Sequence, residues 1–242
     1  MITSRGEMTL EQTLKITSVL SDATRLHIYE YIAKKHGSVN VQEIAEHFHI
    51  QPNVARLHLT KLEDVGMITG RIQKNPKGGR PFRIYKLSDE VINIQFPFRD
   101  YEMLSKIALE TLLSLGEQGK QALIETGRKF GKRIIENKYS ASELEGLSTE
   151  DKLSLLHDTS SMLGLDPEYE YNEEDDVFIY RIFNCPFKEV ALEDSYHTIC
   201  EMHRYLIIGM FETIFSNKST LIEKSNLLDG CQSCSYHVEI KS

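Results

Sequence analysis

"NVQEIAEHFHIQPNVARLHLTKLEDVG", residues 40–66, holds two short helical patterns separated by the turn "HIQ". Asn40 is an N-cap residue type, with Glu43 three positions on to complete a capping box. Val41, Ile44, Ala45 and Phe48 then form one apolar face, which predicts a short helix over 40–48. Pro52 suits the first position of a second helix, in which Ala55, Leu59 and Leu62 make an apolar stripe until Gly66 ends it. That stripe leaves Asn53, Arg56, Leu57, Thr60 and Lys61 facing outward, with Gln51 just ahead of the first turn. Two short helices joined by a tight turn, the second exposing Asn, Arg and Lys, form a helix-turn-helix pattern whose second helix fits a DNA major groove.

Working outward, "MTLEQTLKITSVL" (8–20) and "DATRLHIYEYIAKKH" (22–36) show helical spacing, the second at Leu26, Ile28, Tyr29 and Ile32. Downstream, "MITGRIQ" and "FRIYKLS" read as strands around the basic Gly- and Pro-rich turn "KNPKGGR", which predicts a two-stranded wing. Residues 50–86 carry eight Lys or Arg against two acids. That balance favours contact with phosphates. Asn53 and Arg56 are candidates for reading bases, Lys61, Lys77, Arg80 and Arg83 for holding phosphates, and Gln51, Leu57 and Thr60 complete the expected DNA-facing set. In "DATRLHIYEYI", "HLTKLEDVGMI" and "GGRPFRIYKL" the sequence resembles winged helix-turn-helix repressors of the ArsR kind over roughly residues 10–90. The resemblance implies binding to double-stranded DNA.

The net charge of −8 is unevenly distributed: residues 1–90 carry 13 Lys and Arg against 10 acids, and residues 91–242 carry 15 against 26. Two parts with different partners are expected. The chain shows no run of 18 apolar residues, and "MITSRGEMTLEQ" lacks the apolar stretch of a signal peptide. A cytoplasmic protein without a membrane partner is the expectation. The sequence thus divides into a winged-helix domain (1–95), a linker or dimerisation helix (96–116) and a cysteine-bearing sensor domain (117–242), α+β overall.

In the linker, Leu104, Ile107, Ala108, Leu112 and Leu115 share one face of a helix expected over 101–115. Pairing with the same helix of a second subunit would give a homodimer carrying two recognition helices for a palindromic operator. The alternative is packing on its own C-terminal domain. A further helix is expected at about 117–137, with Gly127 and Gly131 on one face; "YSASELEGLS" reads as a loop, and Ser148 with Asp151 as a capping box for a helix ending near Gly164. "EYEY" and "VFIYRIFN" around "NEEDD" suggest a hairpin, 195–215 an apolar helix, and "YHVEI" a last strand. Neither G-x-S-x-G nor a phosphate-binding P-loop motif occurs.

The four cysteines follow the spacing Cys185-x14-Cys200-x30-Cys231-x2-Cys234. In a reducing compartment clustered thiols ligate metal or do redox chemistry more often than they form disulfides. Placed at a strand exit (177–184), on a helix and in a turn before the last strand, they can converge on one face. Four thiolates suit tetrahedral zinc or an iron–sulfur cluster, and the spacing does not choose between them. A buried Cys200 as plain core and a metal-free dithiol are the other readings. His197, His203 and His237 stand near the thiols, His203 one helical turn from Cys200. "NCPFKEV…C…GCQSCSYHV" resembles the C-terminal half of SufR-type repressors and the 4-vinyl reductase-like small-molecule-binding domain. The resemblance implies an iron–sulfur cluster on Cys185, Cys200, Cys231 and Cys234, with zinc as the alternative and a small-molecule effector as a further partner. The closing pair in SufR-type sequences is usually C-x-C, whereas this chain has C-x-x-C. A transcriptional regulator, not an enzyme, is therefore the expected function. The rivals are a zinc-stabilised regulator that senses a small molecule and a metal-dependent or thiol enzyme, for which Glu189, Glu193 and Asp194 are the nearby acids.

Overall fold

The computed structural model describes residues 9–74, 81–97, 99–172, 177–193 and 198–240. The chain is α+β and separates into two compact units, residues 1–99 and 100–242. No helix among the described residues is long and apolar enough to cross a membrane.

The first unit runs α1 (Leu10–Leu20), α2 (Ala23–Lys34), β1 (Val39–Asn40), α3 (Val41–His47), α4 (Pro52–Asp64), β2 (Ile68–Gln73) and β3 (Phe82–Leu87). The strands form an antiparallel sheet in the order β1-β3-β2, with Ile68 opposite Leu87 and Val39 opposite Tyr85. Ile28 and Ile32 of α2, Ile44 and Ala45 of α3, and Ala55, Leu59 and Leu62 of α4 are buried together against Ile68 and Tyr85. These are the apolar stripes expected from the sequence. Asn40 caps α3 by accepting from the Glu43 N–H at 3.0 Å, but the capping box is not reciprocal. The Glu43 carboxylate turns to α2 instead, where it accepts from the Tyr31 hydroxyl at 2.9 Å and pairs with Lys35. A partner on a neighbouring helix has displaced the local one. The basic turn expected at 74–80 lies, apart from Lys74, outside the described residues, so Lys77 and Arg80 have no place in the structural account.

His58 was not anticipated as a core position, yet it is 7% exposed on the inner face of α4. Its Nδ1 has no hydrogen-bond partner. Burial pushes its pKa below the usual value; Asp22 pulls it back up and Arg25 adds to the lowering. The folded state therefore prefers the neutral ring, and its stabilising effect is present above the ordinary histidine pKa and lost as pH falls below it.

The second unit opens with α5 (Tyr101–Ser114) and α6 (Glu117–Glu136), followed by α7 (Ala141–Glu145) and α8 (Thr149–Met162). It continues with β4 (Pro167–Asn172), β5 (Val177–Ile182), α9 (Lys188–Glu193), α10 (Thr198–Ile214), β6 (Ser219–Ser225) and β7 (Cys234–Ile240). The sheet is antiparallel in the order β4-β5-β7-β6. Tyr180 and Ile182 of β5 and Cys234, Tyr236 and Val238 of β7 alternate onto one face, against Ile207, Met210, Phe211 and Ile214 of α10, Leu153 and Leu156 of α8 and Ile135 of α6. The Tyr180 hydroxyl, buried in this core, donates to Ser160 Oγ at 2.7 Å.

Several expectations are corrected. Residues 141–145, read as loop, form a helical turn because Ser140 and Glu143 build a reciprocal capping box. Ser148 does cap α8, but the Asp151 carboxylate accepts from the Ser148 hydroxyl at 2.6 Å. The strand expected over 177–184 stops at Ile182, and α9 and β6 had no counterpart in the sequence reading. Helix α9 is only six residues long, and the less exposed side of β6 carries Ser219, Leu221, Glu223 and Ser225, so its alternation is not an apolar one. None of α5 is buried: Tyr101, Leu104, Ile107 and Leu115 are 63%, 61%, 56% and 61% exposed.

Helices α6 and α10 meet backbone to backbone. A Cβ at Gly131 would lie 1.9 Å from the Leu206 carbonyl oxygen, and one at Gly209 2.2 Å from that of Arg128. Arg128 closes the same seam by pairing with Glu212. Gly131→Ala must push the helices apart and is expected to cost about 3 kcal/mol, read as a lower denaturant midpoint of the full chain. For the first unit, amide exchange in α4, corrected for its intrinsic pH dependence, is expected to quicken as pH drops from 7 to 5 in the wild type and to stay flatter in His58→Gln.

Candidate functional site

The second helix of the opening stretch carries its polar side chains as the sequence predicts. Gln51, Asn53, Arg56, Leu57, Thr60 and Lys61 are all exposed, because the Ala55, Leu59 and Leu62 stripe turns the opposite face inward. Arg56 donates to Asn53 Oδ1 at 3.2 Å, so the two base-reading candidates stand as a pair one helical turn apart. Arg83, a candidate for holding phosphate, also has a partner within the unit. Its guanidinium binds Glu63 Oε1 at 2.6 Å, and the same carboxylate oxygen accepts from the Gly70 N–H at 3.0 Å. A Cβ at Gly70 would sit 2.6 Å from both Glu63 Oε1 and Arg83 Nε. Arg83 thus fastens the β2–β3 hairpin to the end of α4. The sequence hint was the glycine in mid-strand, which marks a close approach.

The thiols belong to the second unit. Cys185 lies three residues beyond β5, in a loop held by Asn184, whose N–H donates to Leu165 O at 3.1 Å and whose Nδ2 donates to Gly164 O at 2.6 Å. Cys200 is half-buried in the first turn of α10. Cys231 is exposed just after Gly230, whose φ of 81° forms the turn there. Cys234 is buried at the start of β7. None of the four is in a disulfide.

Two of these sulfurs receive backbone donors that the sequence reading missed. The Phe187 N–H bonds to the Cys185 sulfur, and the Leu227 N–H reaches Cys234 Sγ at 3.4 Å. Such donors favour the anionic form of a sulfur. Burial works the other way and dominates, pushing the Cys185 thiol up to about 11 and the Cys234 thiol upward as well. Negative charge on Cys234, Cys200 or Glu189 raises the Cys185 thiol further.

His203 is the histidine that joins the thiols. It is 6% exposed, its Nδ1 lies 3.5 Å from Cys185 Sγ, and the Phe187 ring packs edge-on against it. Its Nε2 is buried without a hydrogen-bond partner. Burial lowers its pKa to about 4, so the ring is neutral at pH 7 and keeps a lone pair. His237 falls on the half-exposed face of β7, opposite to Cys234, because the two are an odd number of residues apart in one strand. His197 and Asp194, and the side chain of Glu193, lie outside the described residues. Glu189 sits on α9.

The donors fit a soft metal in kind: thiols and a neutral imidazole from a loop, a helix and a strand start. Their arrangement is incomplete. Among the described residues, no three His, Cys, Asp or Glu side chains converge closely enough to hold a metal ion.

Labelling with a thiol reagent at pH 7 is expected to modify Cys231 first. Cys185 is expected to be slowest, with on the order of a hundredfold less thiolate than an ordinary cysteine; peptide mass spectrometry after timed quenching gives the order.

Residues 25–77, from α2 to just beyond β2, match the FaeA-like protein family. No curated protein matches the chain at a significant level.

Proposed function

We propose that this protein is a homodimeric, DNA-binding transcriptional repressor whose operator affinity is set by a thiolate-held metal centre in its C-terminal unit. The observation that carries the DNA-binding half is the exposed row Asn53, Arg56, Thr60 and Lys61 on a helix that follows a tight turn from α3 and precedes a hairpin. That order is the one in which a winged helix-turn-helix presents its recognition helix. The FaeA-like match covers the same stretch and supports the reading. Arg56 and Asn53 contact base edges; Lys61, with Lys77 and Arg80 of the turn, holds phosphates, while Arg83 fixes the wing.

The exposed apolar face of α5 supports dimerisation. Leu104, Ile107, Ala108, Leu112 and Leu115 lie on that face, and all of them but the half-buried Leu112 are exposed, the arrangement of a helix that pairs with another. A second copy pairing there spaces two recognition helices for a palindromic site. Cys185, Cys200, Cys231 and Cys234 form the sensing centre, as an iron–sulfur cluster or zinc; its loss frees the loop after β5, α10 and the start of β7 from one another. Coupling of about 1–3 kcal/mol between such a centre and the operator is enough to switch occupancy.

Binding to promoter fragments tests the first half. Arg56→Ala is expected to cost about 1–3 kcal/mol at one operator position and to relax the preference there. Lys61→Ala is expected to weaken all sequences alike and to lower the salt slope by about one. Full-length protein with no affinity for any promoter fragment at low salt, metal-loaded or metal-free, contradicts the proposal.

A further inference from the structure

We infer that Cys231 and Cys234 are a dithiol–disulfide pair, in which Cys231 attacks a low-molecular-weight disulfide of the glutathione class and Cys234 resolves the product. The inference goes beyond the metal-centre reading above and does not rest on it.

A difference in burial between two thiols three residues apart carries the argument. Cys231 is exposed, whereas Cys234 is 9% exposed at the start of β7. An extended chain would hold their Cα atoms about 10 Å apart, beyond the roughly 4.4–6.8 Å that a disulfide spans. The chain between them is not extended. It bends at Gln232 and Ser233, and Gly230, with a φ of 81°, turns it just ahead of Cys231.

The buried sulfur is folded back on the segment that leads into Cys231. The Leu227 N–H reaches Cys234 Sγ at 3.4 Å, and the Leu227 carbonyl in turn accepts from the Gly230 N–H at 3.3 Å. Cys231 is the next residue. The far end of the turn is pinned as well, since Ser225 Oγ donates to the Ser233 carbonyl at 2.9 Å immediately before Cys234. Cys185 and Cys200 belong to other elements, the loop after β5 and the first turn of α10.

Exposure sets the order of events, because a bulky disulfide reaches only a sulfur at the surface. The Cys231 thiolate attacks one sulfur of the small disulfide. That S–S bond breaks, a mixed disulfide forms on Cys231, and one small thiolate leaves. Cys234 then loses its proton, and its sulfur attacks the Cys231 sulfur, forming the Cys231–Cys234 bond and expelling the second small thiolate. Each leaving thiolate takes up a proton released by a protein thiol. Two protein thiols are thereby oxidised and one small disulfide is reduced to two thiols.

The test uses the reduced full chain, freed of metal with a chelator, and oxidised glutathione as the probe. Thiols open to alkylation under denaturing conditions are expected to fall from four to two. Peptide mass spectrometry is expected to place the bridge between Cys231 and Cys234, and dithiothreitol to restore all four thiols. Cys234→Ser is expected to stop with one glutathione on Cys231. Cys231→Ser is expected to lose thiols about tenfold more slowly, because the remaining sulfur of the pair is buried. The peptide map of the wild type needs no variant to fold.

A bridge that includes Cys185 or Cys200 overturns the inference. So does a glutathione that stays on Cys231 of the wild type, or full retention of thiols under a large excess of oxidised glutathione. None of these results bears on the DNA-binding reading, which promoter binding tests separately.

Discussion

The approach of α6 and α10 is the constraint on which the second unit depends. Gly127, Gly131 and Gly209 let the two backbones come within reach of atoms that any Cβ would overlap, and Arg128 with Glu212 closes the seam at its edge. Once α10 is seated there, its apolar face covers the sheet through Ile207, Met210 and Phe211. The same seating points His203 at the loop after β5. The position of one imidazole is thus a consequence of three glycines elsewhere in the helix pair.

That loop is itself constrained at both ends. Asn184 ties it to Gly164 and Leu165, and the Phe187 N–H bonds back to the Cys185 sulfur. A sulfur held in this way and sunk in an apolar surround is a poor nucleophile, since burial raises its pKa.

In the first unit the comparable fastening is the Glu63 carboxylate, shared between the Gly70 N–H and Arg83. It links the last turn of α4 to both strands of the hairpin. The exposed face of α4 and the hairpin therefore move as one body.

The helices of the first unit were legible because each has one buried stripe, and burial of a stripe writes a period into the sequence. Ile28 and Ile32, Ile44 and Ala45, and Leu59 and Leu62 all fell inside as the spacing requires. The exposed set on α4 followed by subtraction. The four thiols were equally visible as residue types, but no period carries the distance between a strand exit, a helix and a second strand. α9 was missed because it is short, β6 because the less exposed side of its alternation carries Ser219, Glu223 and Ser225 with only Leu221 apolar, and the reciprocal cap expected of Glu43 failed because its partners lie on another element. By itself the sequence determined which residues turn inward along each regular element and which chemistry the chain holds, since both depend on neighbours three or four positions away. The tertiary structure alone decided that His203 meets Cys185 and that Arg83 is bound to Glu63. Those contacts join residues 18 and 20 apart in sequence, brought together by how helices and strands pack and not by any local preference.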